Sequence, residues 1–315
     1  MPRRKAKGKR QKGKGKREKA KGKREKGKVQ RESLDVEVRA MQHADIEAGL
    51  RLCRLAGWDQ VHRDWRRFLD GPDSTVRAAV HGSDVMATIA TIRYGTQFGW
   101  IGMVLVDPAA QGRGIGSTMV DGAVESLADM PTVRLDATPA GRLVYQKHDF
   151  VDECTLTRME AISVKVDHPP RTIVRAMTRG ELPAVVAMDR SVFGAPRSTL
   201  LQWMYDGAPE FAFVAERHGN LCGYLFGRHG HQYEHLGPLV SDDLNVAMNM
   251  VKACLSRHRD QAFVIDTPDH NEGWIRFLES TGFRPQRPFI RMYRGRPGPF
   301  GVLRHQFAVL GPEFG

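Results

Sequence analysis

The residues best suited to chemistry lie between Trp100 and Ser117. An apolar run from Trp100 to Val106 stops at Asp107-Pro108, and Gln111-Gly112-Arg113-Gly114-Ile115-Gly116-Ser117 then leads into a helix-spaced apolar series. A strand that turns through glycines directly into a helix leaves several backbone N–H groups unpaired at the positive end of the helix dipole. Such an end binds phosphate oxygens. Glycines at 112, 114 and 116 let a ligand approach the backbone without a Cβ in the way and allow positive φ. Arg113 can add a charge-assisted contact. The turn lacks the Lys-Ser or Lys-Thr of a nucleotide P-loop, and its GxGxG spacing differs from the GxGxxG of dinucleotide folds. A bare GxGxG also fits a tight strand–helix turn with no ligand.

Two copies of one element order position this segment. In the first, strands are expected over 36–40, 75–81, 85–94, 98–106, 133–138 and 151–161. Helices are expected over 45–54 and 60–69, after Gly116, and over 141–147. The order β-α-α-β-β-β-α-β-α-β then begins again. Strands are expected over 172–175, 212–216, 221–228, 235–240, 262–267 and 288–293, and helices over 179–189, 198–205, 242–256 and 271–280. His168-Pro169-Pro170 between the copies disfavours helix and reads as a linker. The fold class is α/β (α+β): two tandem domains, each a mixed, mostly antiparallel twisted sheet flanked by helices.

Charge is unevenly placed. The chain holds 48 Lys+Arg and 36 Asp+Glu; residues 1–32 contain 17 and 3 of them, leaving 31 and 33 in the remainder. Residues 1–33 are expected to be a disordered basic tail, because from Arg3 to Lys28 its only apolar side chains are Ala6 and Ala20. Residues 3–31 read as an electrostatic arm for RNA, DNA, anionic lipid or another polyanion, or as a nuclear address; a plain solvated tail is the alternative. Nucleic-acid binding by the tail should fall with salt at a slope of about −0.9 per phosphate neutralised. Salt-insensitive binding by the full chain would count against the arm.

Cys53, Cys154, Cys222 and Cys254 are isolated, so neither a disulfide framework nor a zinc site is expected, and a reducing, cytoplasmic compartment fits. No apolar stretch approaches the roughly 18 residues of a membrane span. His229, His231 and His235 lie near one strand, but no carboxylate or cysteine nearby completes a ligand set, so no metal is expected.

Gln111-Gly112-Arg113-Gly114-Ile115-Gly116 resembles the (Q/R)xxGx(G/A) signature of the GNAT superfamily of N-acetyltransferases. Leu135-Asp136-Ala137-Thr138-Pro139-Ala140-Gly141 with Leu143-Val144-Tyr145-Gln146-Lys147-His148-Asp149-Phe150 resembles a second element of that family. The C-terminal half resembles the second module of a two-domain subgroup, through Val192-Phe193-Gly194, Gly237-Pro238, Gly282-Phe283 and Arg291-Met292-Tyr293-Arg294-Gly295. The resemblance covers Val36 to Gly315. It implies a catalytic domain over 34–166, a linker over 167–171, and a degenerate second domain over 172–315 that shapes the acceptor site. It further implies acetyl-CoA as cosubstrate. Val104, Leu105 and Val106 would pair with pantetheine amides in a gap beside their strand, and the amides of Gly112–Ser117 would hold the pyrophosphate. Tyr145 would act as general acid toward the departing thiolate.

Relatives often carry an acidic base on the central strand. Here Phe98 to Val106 has none, and Asp136 is a weak candidate, with a structural role the stronger one. Asp149 replaces a usual glycine, so left-handed strain of about 1 kcal/mol is expected there. In the second domain Asp242 and Asp243 stand where phosphates would go, and carboxylates there would repel pyrophosphate. The expected function is transfer of an acetyl group from acetyl-CoA to a primary amine, small molecules favoured, by direct attack in a ternary complex. The alternatives are a non-catalytic acyl-CoA-binding module tethered to nucleic acid by the tail, and a ribosome- or chromatin-associated protein acetyltransferase.

Overall fold

The computed structural model describes Pro2 and residues 34–166, 173–298 and 300–315. The polyanion arm over 3–31 and the linker over 167–171 lie outside the described residues. The first half runs β1 (Glu37–Ala40), α1 (Ile46–Leu55), α2 (His62–Asp70), β2 (Ser74–His81), β3 (Asp84–Tyr94), β4 (Phe98–Val106), α3 (Ile115–Ser126), β5 (Thr132–Ala137), α4 (Pro139–Tyr145) and β6 (Val151–Ala161). The second repeats the order as β7 (Val174–Ala176), α5 (Leu182–Phe193), α6 (Ser198–Gly207), β8 (Phe213–Arg217), β9 (Asn220–His229), β10 (Glu234–Ser241), α7 (Leu244–Arg257), β11 (Phe263–Pro268), α8 (Glu272–Ser280) and β12 (Arg284–Gly295). A short β13 (Gln306–Ala308), absent from the sequence reading, follows.

The two halves share one sheet. Its order is β1-β2-β3-β4-β5-β12-β6-β11-β10-β9-β8-β7, with β13 on β10. All pairings are antiparallel except β4–β5 and β10–β11. The last strand of the second half, β12, thus inserts between β5 and β6 of the first, while β6 pairs with β11. Opposite charges meet across this insertion. Arg291 of β12 stands directly opposite Asp136 of β5, and one residue of slip in β12 would turn Arg291 to the other face and break the pair.

Packing joins the halves as well. The largest core cluster combines Phe98 and Trp100 of β4 with Phe193 of α5, Leu200 of α6 and Phe314 near the C-terminus. Phe314 stacks flat on Phe68 of α2, with ring centroids 4.6 Å apart. Helix α3 buries Ile115, Met119, Val120 and Ala123, an i, i+4, i+5, i+8 stripe that seats it on the sheet beside β4. No helix among the described residues is long and apolar enough to cross a membrane.

Candidate active site

The site begins where β4 leaves β5. The two strands pair in parallel through Gly99–Val133 and Trp100–Arg134 only, and past Trp100 that edge of β4 has no strand partner. Its other edge carries a bulge. Gly102 faces Ala90 and Leu105 faces Thr88, so Met103 and Val104 together stand opposite one residue of β3. Met103 has φ 52°, and the Thr88 hydroxyl donates to its carbonyl at 2.9 Å. The bulge re-aims the backbone at this point, a device common beside active sites. Alternation along the strand then puts Val104 and Val106 on a cavity wall, while Leu105 is buried in the core.

That cavity, of about 170 Å³, opens from the splay. Val104, Val106, Gly116, Val120 and Tyr145 line it together with Gln60, Glu313, Trp58, Arg158 and Arg287, the last three of which also face an adjoining cleft and so mark its far end. Of the sequence-predicted residues, Val104, Val106, Gly116, Asp136 and Tyr145 meet on it. Gln111, Gly112, Arg113, Gly114, Ile115 and Ser117 form the turn that starts α3. Gln111 donates to the Val106 carbonyl at 3.1 Å, which ties the turn to the strand end.

Gly114 is the N-cap of α3 at φ 86°, and no side chain caps the helix. Gly112 has φ 76°, and a Cβ added at either glycine would meet nothing within 4 Å. The helix end therefore faces open space with its amide donors uncovered, a cradle fitted to an anion. Ser117, in the first turn, shares a 2.8 Å hydrogen bond with His148 Nε2, whose Nδ1 lies 2.9 Å from Asp121. His148 belongs to the segment in which Asp149 adopts φ 63°, the left-handed geometry expected of a residue at a glycine position.

Tyr145 is 8% exposed and packs edge-on against Phe150, with centroids 6.0 Å apart. Burial raises its pKa well above that of an ordinary phenol, so the hydroxyl stays protonated across the working pH range. Asp136 is differently placed. Arg291 Nε and Nη2 each donate to its carboxylate at 2.8 Å, and the side chain has no exposed area. Burial pushes the carboxyl up, and the paired Arg291 opposes it. A carboxylate engaged on both oxygens has little capacity left to take an amine proton.

The equivalent place in the second half is filled. Strands β10 and β11 pair only through Glu234–Phe263 and His235–Val264, the same short parallel contact as β4 and β5. In the gap beyond, β13 pairs with β10, and Val309 N donates to Asp266 O at 2.9 Å. The chain itself supplies the peptide strand. At the start of α7 the Asp243 carboxylate accepts from the amides of Asn245 and Val246 at 2.7 and 3.2 Å. Both features of an anion-and-chain site are occupied by protein. The histidines noted in the sequence scatter: His229 contacts Glu210 and Glu234, and His235 is buried against Asp59. No metal-binding group of side chains occurs among the described residues.

Sequence reasoning missed the far wall of the cavity. Glu313 arrives on a segment without periodicity, and Arg287 lies between two prolines at the start of β12. The one signal available was a lone carboxylate in the otherwise apolar run from Val309 to Phe314.

Residues 72–152 and residues 185–308 each match a family model described as an acetyltransferase (GNAT) domain. A holothin acyltransferase from Pseudoalteromonas sp. (strain SANK 73390) is 27% identical over 260 residues, 82% of this chain and 87% of that protein. An uncharacterized N-acetyltransferase of Bacillus subtilis (strain 168), YitH, is 23% identical over 286 residues, 89% of this chain and 98% of that one. A tandem GNAT protein from the clavulanic acid biosynthesis pathway superposes with a TM-score of 0.59 at 14% identity, over 84% of this chain and all of that one. GNAT acetyltransferases take acyl-CoA as cosubstrate, and the chain belongs to that family as a two-domain acyltransferase that moves an acyl group from acyl-CoA to an amine.

Proposed function

We propose that the chain is an N-acetyltransferase that moves an acetyl group from acetyl-CoA to the primary amine of a small molecule by direct attack in a ternary complex. The observation that carries this reading is the alignment of three features on one cavity: the unpaired edge of β4, the uncapped glycine turn of α3, and Tyr145 between them. Val104, Leu105 and Val106 would offer backbone groups to the pantetheine amides as a neighbouring strand would. The amides of Gly112–Ser117, with Gln111 and Arg113 at the turn, would receive the pyrophosphate, and His148 would orient the Ser117 hydroxyl toward it.

The reacting amine must be neutral to attack the thioester carbonyl. As the C–N bond forms and the C–S bond breaks, the thiolate needs a proton and the new nitrogen must lose one. Tyr145 is the proposed donor to sulfur. A phenol, with an ordinary pKa near ~10, gives its proton to a thiolate of about 8.5 only with good placement, so its help is modest. Amides freed at the Met103 bulge could polarise the carbonyl. The second domain would not bind CoA; it closes the far end of the cavity and shapes the acceptor site.

Titration calorimetry with acetyl-CoA and release of free thiol against a panel of small amines test the reading. Heat of binding and amine-dependent thiol release are expected. Tyr145→Phe should lower kcat by about 10²-fold while leaving acetyl-CoA affinity nearly unchanged. A folded protein that gives no heat with acetyl-CoA would overturn the assignment.

A further inference from the structure

The far end of the cavity carries a charge pattern that bears on the acceptor. Arg158 and Arg287 line it, and a third arginine, Arg291, reaches it only through its partner Asp136, which is also on the lining. Two of the three are neutralised: Arg158 donates to both oxygens of Asp266 at 2.7 Å, and Arg291 to both of Asp136 at 2.8 Å. Arg287 is not. It donates to the Gly57 carbonyl at 2.9 Å and to Gln286 Oε1 at 3.1 Å, both uncharged acceptors. It makes no ion pair among the described residues. It lines the main cavity and also the adjoining cleft formed by Trp58, Asp59 and Tyr233. Burial lowers its pKa, with Arg158 pushing the same way. A partly desolvated guanidinium without a counter-ion is costly, and an anionic ligand removes that cost.

Glu313 stands opposite in charge. It comes from the segment Val309–Gly315, and its backbone presses on Gly102 so closely that a Cβ there would lie 2.5 Å from the Glu313 carbonyl. Gly102 immediately precedes the β4 bulge. The Glu313 side chain, 2% exposed, pairs with Arg228, and Asp64 takes the same guanidinium at 3.0 Å. Arg228 engages Glu313 through Oε1 alone, so Oε2 lies outside the ion pair, unlike Asp136, which is held on both oxygens.

We infer that the acceptor is an amine that also carries an acid group, held with its acid on Arg287 and its ammonium on Glu313. This rests on the acetyl-CoA reading above, which sets the thioester at the β4 bulge. Glu313 then takes one proton from the ammonium as the neutral nitrogen attacks and passes it to water. The second proton leaves the nitrogen after the C–N bond has formed, while the departing thiolate receives its own from Tyr145, which is reprotonated in turn. The sum is ammonium and thioester going to amide, thiol and one released proton. Amino acids with the two groups separated by a short chain are the class this arrangement selects.

The test compares unbranched amino acids from glycine to 6-aminohexanoate with their carboxamides, under saturating acetyl-CoA, and reads acetyl-CoA binding separately by calorimetry. For the best chain length, kcat/KM of the acid should exceed that of its carboxamide at least about tenfold. Arg287→Gln should erase that preference without changing acetyl-CoA affinity. Glu313→Gln should lower kcat by about 10²-fold near neutral pH, with recovery at alkaline pH as the amine loses its proton unaided. Carboxamides used as well as acids, a preference that survives Arg287→Gln, or no turnover of any acid by protein that binds acetyl-CoA would each overturn the inference. Absence of acetyl-CoA binding is the separate signature of failure in the underlying reading.

Discussion

Gly114→Asp should abolish acetyl-CoA binding while leaving the protein folded. Gly114 caps α3 at φ 86°, and a Cβ there meets no atom within 4 Å. The substitution therefore crowds nothing. It costs left-handed strain of about 1–2 kcal/mol, small against the packing of a helix that buries Ile115, Met119, Val120 and Ala123. What changes is charge. A carboxylate would sit on the helix end where the proposed site receives pyrophosphate, and it would also cap the amides that should bind it. At about 4 Å and an effective dielectric near 20, one pair of like charges costs about 4 kcal/mol, which is close to a thousandfold in affinity. Gly114→Ala separates the terms, since it carries the same backbone strain without charge. Calorimetry should show a modest loss for alanine and no measurable binding for aspartate, with similar thermal unfolding of both. Equal affinity in Gly114→Asp and wild type would remove the pyrophosphate from this turn.

Local patterns made that turn legible. Glycine spacing, the Asp-Pro stop at the end of a strand and an apolar stripe at helical period all act within a few residues. Asp149 was legible for the same reason, because a residue standing in for glycine inherits its backbone. The pairing of β12 with β5 and β6 was not. Residues 288–293 alternate as a strand would in either half, and alternation names a face but no partner. The partner is set by contacts between residues far apart in sequence, such as Arg291 with Asp136. Strand β13 is three residues long, too short for any period, and only the gap between β10 and β11 gives it a role. In the second half, the carboxylates of Asp242 and Asp243 bear on the helix end alone. The structure adds Asp243 as the cap of α7 and a peptide strand in the gap. Glu313 and Arg287 stayed hidden because each acts on residues more than 200 positions away.

The exchanged strand makes the Arg291–Asp136 pair the second large effect. Both side chains are almost without exposure, and Arg291 also lies 5.0 Å from the Trp100 ring. Burial works against the Arg291 charge, but the Asp136 carboxylate outweighs it and raises the arginine pKa. Arg291→Met should therefore destabilise the fold by about 3–5 kcal/mol, since it strands a buried carboxylate. Replacing both charges, as in Asp136→Leu with Arg291→Met, should recover most of that loss, because apolar pairs of similar volume commonly match a buried ion pair. Thermal unfolding of the three variants measures this. The double variant also decides the role of Asp136. With its carboxylate engaged on both oxygens, Asp136 is proposed to tie β5 to β12 and not to accept the amine proton, so the refolded double variant should keep turnover within about tenfold of wild type. A double variant as stable as wild type that binds acetyl-CoA but releases no thiol would instead make Asp136 the base, and would leave the Arg291 pairing as the device that positions it.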